Sequence, residues 1–103
     1  MLVFDASTLI LVAKIEVLES FLGAIGFAVA IPVEVEKECC AAKKTLDALI
    51  IQKALDESRI KVMAVTDKKL VAKLQEDFGL GRGVAEAMVL ALDEKARLVG
   101  MDD

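Results

Sequence analysis

Asp5, Glu38, Asp67, Glu86, Asp102 and Asp103 stand where apolar runs end or where helical stretches run. Carboxylates gathered at one edge repel and raise one another's pKa, so they are stable together mainly when a cation neutralises them. Oxygen donors without Cys or His select hard ions, Mg²⁺ or Mn²⁺. Such an ion can activate a water and stabilise charge on a phosphoryl group. That chemistry needs no histidine, and the 103-residue chain has none. A Ser-His-Asp triad, a His-ligated zinc and a His general base are therefore excluded. With no Trp or Tyr and only four Phe, an aromatic platform for stacking single-stranded bases is not expected.

Taken singly, each acid has an ordinary explanation. Asp5 can cap a helix, and Glu86 can be a first-turn acid favoured by the helix dipole. Glu38 belongs to the charged stretch Glu34, Glu36, Lys37, Glu38, which suits a solvated face. Asp102-Asp103 can be a polar terminus. Gly79-Leu80-Gly81-Arg82-Gly83 lacks the G-x-x-x-x-G-K-[ST] pattern of a phosphate loop and follows no strand. It reads as a helix C-cap followed by the next N-terminus. The neighbours Cys39 and Cys40 are too close to pair and read as small core residues.

The elements that must position these acids follow from periodicity. Met1–Phe4, Phe27–Ile31, Lys61–Val65 and Arg97–Met101 are apolar runs of strand length. Ser7 is a natural cap for a helix carrying Leu9, Ile10, Val12 and Ala13. A second helical piece runs from about Glu16 to Leu22. Pro32 suits the first turn of a helix. Leu46, Leu49, Ile50, Ala54 and Leu55 recur at helical spacing. Asp67 can cap a helix with Leu70, Val71, Leu74 and Phe78 on one face. The helix after Gly83 buries Ala85, Met88, Val89, Leu92 and Ala96. The order β-α-α-β-α-α-β-α-α-β predicts an α/β domain with a parallel sheet covered on both faces. The hydrophobic fraction of 56% fits that architecture. Ligands of such sheets bind beyond the carboxyl ends of the strands, where the acids fall.

Charge and hydropathy narrow the partners. The net charge of −4 provides no bulk basic footprint for duplex DNA. The longest apolar stretch, Phe21 to Val33, contains Gly23, Gly26 and Pro32 and is too short to span a bilayer. No basic region precedes the apolar start, so it does not read as a secretory leader. Unpaired cysteines suit a reducing interior.

In order along the chain, Val3-Phe4-Asp5-Ala6-Ser7-Thr8-Leu9-Ile10, then Ile31-Pro32-Val33-Glu34-Val35-Glu36-Lys37-Glu38, then Leu80-Gly81-Arg82-Gly83-Val84-Ala85-Glu86-Ala87, then Leu98-Val99-Gly100-Met101-Asp102-Asp103 resemble the four segments of PIN-domain proteins. The likeness covers nearly the whole chain, and the nearest branch is the small prokaryotic members, including VapC-type toxins. It implies a three-layer α/β/α fold with a central parallel sheet of about four strands. It implies a metal-dependent endoribonuclease with acidic cluster Asp5, Glu38, Glu86 and Asp102, and with Ser7 beside it. Asp5, Glu86, Asp102 and Asp103 would ligate Mg²⁺ or Mn²⁺, and Glu38 would complete the pocket or orient the water. RNA is the implied substrate. A homodimer, a small antitoxin partner and a cytoplasmic location go with it, and a membrane does not.

Two departures qualify the likeness. Val84 replaces the first Glu of the family's G-E-A-E. Family members also continue past the paired acids with another helix and strand. Residues 1–103 are therefore expected to form one PIN-like domain lacking the family's C-terminal part. The reading from another class is an inactive PIN-like module acting through oligomerisation or partner binding. A phospho-acceptor receiver domain fits less well. It wants an acid pair after the first strand and an acceptor Asp ending the third, whereas Asp5 stands alone and Asp67 follows Thr66.

Overall fold

The computed structural model describes residues 1–41 and 44–99. Strand β1 (Leu2–Phe4) leads into α1 (Ala6–Lys14) and α2 (Leu18–Ala24). Strand β2 (Val29–Pro32) precedes α3 (Val33–Cys40) and α4 (Leu46–Asp56). Strand β3 (Lys61–Met63) precedes α5 (Lys68–Phe78) and α6 (Arg82–Asp93), and β4 (Arg97–Val99) follows. This is the alternation that the apolar periodicity predicts.

All four strands run parallel, in the order β3-β2-β1-β4. The chain therefore winds outward from β1 to β3 and returns to the other side of β1. That reversal puts a crevice at the carboxyl end of β1, the usual place for a ligand in an open α/β sheet. Asp5 is the next residue.

Period-two alternation divides the core. Phe4, Val29 and Ile31 face one hydrophobic cluster with Leu9, Val35 and Ile51. Val3 and Ala30 face the other, with Val65, Val71, Ala85 and Val89. Helices thus cover both faces of the sheet, and the three-layer expectation holds. Full burial of each large side chain here contributes roughly 1.5–3 kcal/mol. Residues such as Phe4 and Ile31, 1% and 0% exposed, anchor the strand ends that carry the acids.

Several boundaries differ from the expected ones. Helix α1 begins at Ala6, not after Ser7, because Asp5 is the cap and its Oδ1 accepts from the Thr8 N–H at 3.0 Å. Phe27 is 64% exposed. The parallel ladder with β1 starts at Val29, so Phe27 has no strand to pair with. Pairing of β3 ends at Pro32↔Met63, two residues short of Val65. Pro32 closes β2 and caps α3 instead of lying inside its first turn. Phe78 and Leu92 lie on the outer sides of their helices and are exposed.

The expected breaks hold. Gly79 ends α5 in the left-handed conformation (φ 65°), with its N–H donating to Gln75 O at 2.9 Å. Asp67 caps α5 by accepting from the Leu70 N–H at 3.0 Å. Cys39 is buried, and burial pushes its thiol up to about 12, helped by the nearby Cys40. Both cysteines are free thiols. Among the described residues, no helix is long and apolar enough to cross a membrane.

Candidate active site

Among the described residues, Asp5 and Glu86 are the buried charged side chains, 5% and 8% exposed. Asp5 is held by the cap it makes on α1. Glu86 lies beyond the first turn of α6, which has no acidic residue. The dipole account of Glu86 therefore fails, and its partners lie elsewhere. Its Oε1 accepts from the Glu34 N–H at 3.3 Å, and its Oε2 accepts from Arg82 Nε at 3.1 Å. Helix α3 needs that acceptor, because Pro32 at its cap has no side-chain oxygen to offer. Glu86 thus caps a helix 52 residues away in sequence. Arg82 also reaches Glu34 Oε1 at 3.6 Å, tying the start of α3 to the start of α6.

Glu38 lies one turn beyond Glu34 on α3. Part of its side chain is exposed, yet its carboxyl is pushed above the usual carboxylate range. Burial is the largest cause, followed by the charges of Glu34, Asp5 and Glu86. Helices α3 and α6 approach so closely here that a Cβ on Gly83 would overlap Glu38 Oε1. Asp5, Glu38 and Glu86 therefore share one electrostatic neighbourhood at the carboxyl end of β1. Asp102 and Asp103, the remaining expected acids, lie outside the described residues. Asp67, at the start of α5, is occupied as a helix cap. Among the described residues, no three acids come close enough to hold a metal ion in this arrangement. Glu34 and Arg82 are the participants that the sequence reading did not single out. Their spacing in α3 and α6 resembles any solvated helical charge, and only the fold joins them.

The raised Glu38 carboxyl has a testable consequence. A carboxyl that is raised on folding costs stability above its folded pKa, and the cost disappears as protonation removes the charge. Glu38→Gln should therefore raise the Tm of metal-free protein at pH 7 by a few degrees, corresponding to at most about 1 kcal/mol after solvent screening. The gain should vanish in melts near pH 4. An equal shift at both pH values would show that the charge is not the cause.

A parallel α/β domain of three layers, with Asp5 following the strand at which the order reverses, is the class of protein that the fold defines. The chain belongs to the PIN-domain family, whose model matches residues 1–103. Its fold is shared with a chain of a toxin-antitoxin complex from Klebsiella pneumoniae. The TM-score is 0.70 over 99% of this chain and 87% of that one, at 18% sequence identity. No curated protein matches the sequence significantly.

Proposed function

We propose that this chain is a divalent-metal-dependent endoribonuclease of the PIN type and the toxin of a toxin–antitoxin pair. The observation that carries the reading is that the charges of Asp5 and Glu86, from two other segments, act on the Glu38 carboxyl. Family membership and the shared fold with a toxin–antitoxin component support it. The donor set fits a hard cation, since it is all oxygen and the charges of Glu34, Asp5 and Glu86 act on Glu38, while Arg82 is the cation paired with Glu34 and Glu86.

Asp5 and Glu86, with Asp102 and Asp103, would hold Mg²⁺ or Mn²⁺. The bound ion would activate water and neutralise charge on the phosphodiester. Glu38 would orient the attacking water, and Ser7 stands beside the site at the start of α1. Arg82 and the Glu34 N–H fix the Glu86 carboxylate in position. The free thiols suit the reducing cytoplasm. A small antitoxin protein and a second copy of the chain are the proposed protein partners. Leu11 of α1, Ile15 just after it, and Leu46 and Leu49 of α4 are each more than half exposed. An exposed apolar surface of this kind suits an interface. It also supports the second reading, an inactive module that works by association alone.

RNA cleavage assayed with Mn²⁺, Mg²⁺ or EDTA separates the two readings. Asp5→Asn keeps the cap on α1, because Asn is as good an N-cap as Asp. The wild-type protein should cleave only with metal, and Asp5→Asn should not cleave. Equal cleavage by both proteins, or none by wild type with any ion, would leave the association reading standing.

A further inference from the structure

A cleft of about 450 Å³ adjoins the acid site, with Glu34 and Glu86 among its lining residues. Its volume is within the range of small-molecule sites, roughly 300–1,000 Å³. Val33, Ala64, Val65, Val71 and Ala72 supply its apolar lining. Lys37, Lys68 and Arg82 supply cations, and Gln75 is the uncharged polar side chain among its lining residues. An apolar lining, cations and one amide differ from the acid cluster next to them in what they can bind.

We propose that this cleft receives one nucleotide of the RNA strand beside the scissile phosphate and is where the enzyme reads sequence. The inference rests on the nuclease reading and adds the path and the recognising residues. Arg82 is engaged by Glu34 and Glu86. Lys37 and Lys68 are exposed and form no ion pair with the described residues. Lys68 is the first residue of α5, where a cation opposes the helix dipole, so it does not serve the helix. Two unneutralised lysines at the edge of an acid cluster, in a chain of net charge −4, suit a polyanion that must approach that cluster. A base set against the aliphatic lining is removed from water without any aromatic ring. The half-buried Gln75 presents both a donor and an acceptor, which a base edge can match.

The test is binding of a labelled single-stranded RNA oligonucleotide to Asp5→Asn protein, by fluorescence anisotropy across a salt series. Adding Lys37→Ala and Lys68→Ala should weaken binding by about tenfold or more. Loss of two phosphate contacts should also reduce the slope of log K against log salt by about 1.4. In otherwise wild-type protein, the two lysine substitutions should leave Tm and Mn²⁺ affinity unchanged. Gln75→Ala should reorder affinities among oligonucleotides that differ by one base. Unchanged affinity, slope and ranking would overturn the inference, even if wild type cleaves RNA with Mn²⁺. Weakened binding in the lysine variants, with no cleavage by wild type under any metal, would sustain the cleft as an RNA site and sink the nuclease reading instead.

Discussion

Glu86→Ala is expected to lower stability by roughly 2 kcal/mol and Tm by about 10 °C, and to abolish cleavage. The stability loss comes mainly from the Glu34 N–H, a part-buried donor left without its acceptor. An unmet buried donor costs about 1–3 kcal/mol. Loss of a carboxylate at the start of α3 adds about 0.3–1 kcal/mol through the helix dipole. The Arg82 ion pair adds little, because Arg82 is 60% exposed and such pairs are worth about 0–1 kcal/mol. Relief of repulsion with Glu38 offsets part of the total. A surface acid with no structural partner would change stability by no more than about 0.5 kcal/mol. Thermal melts of wild type, Glu86→Ala and Glu86→Gln decide between these cases. Gln keeps an oxygen for the Glu34 N–H and should recover most of the Tm without recovering cleavage. A Glu86→Ala melt equal to wild type would show that the cap across α3 and α6 contributes nothing. Cleavage retained in Glu86→Gln would remove Glu86 from the chemistry.

Much of this arrangement was legible in the residue order, and the remainder depends on contacts that only the fold creates. The four strands follow from apolar runs punctuated by Gly and Pro, which are local signals, whereas the strand order with its reversal at β1 is set by the packing of the fold. Asp5 is a case where the ordinary reading holds without excluding the other, since the carboxylate that caps α1 also acts on Glu38. Ser7 was the expected cap because both residues are good caps, and sequence alone does not say which one adopts the extended conformation. Phe78 and Leu92 show the limit of periodicity. It marks an apolar stripe but not the point where the neighbouring helix stops covering it. The link from Arg82 and Glu86 to Glu34 joins residues about 50 apart through the packing of α3 on α6. No local pattern carries such a pair. Gly83 looked like helix punctuation. In the fold it is where the Glu38 carboxyl lies against α6.

That close approach makes Gly83→Ala a substitution that should separate the site from the fold. A Cβ at position 83 would overlap Glu38 Oε1 and come within 3.0 Å of its Cδ, so the carboxyl group must move. The overlap is with the far end of a flexible side chain that is partly exposed, and Glu38 can swing into solvent at little cost. Ala in place of a helical Gly contributes up to about 1 kcal/mol in the other direction. Tm should therefore stay within a few degrees of wild type or rise. Cleavage should fall by about 10²-fold or more, since a group positioned for proton transfer typically contributes about 10²–10⁴-fold. Glu38→Ala tests the route. If Gly83 acts only by admitting the Glu38 carboxyl, Gly83→Ala should reduce cleavage no further once Glu38 is already Ala. Additive losses in the double variant would mean that Gly83 has a role independent of Glu38. A drop in Tm of 10 °C or more would mean that the overlap is relieved by moving α6 and not the side chain. Full activity in Gly83→Ala would place Glu38 outside the machinery, leaving Asp5, Glu86 and the acids of the last segment to carry the reaction.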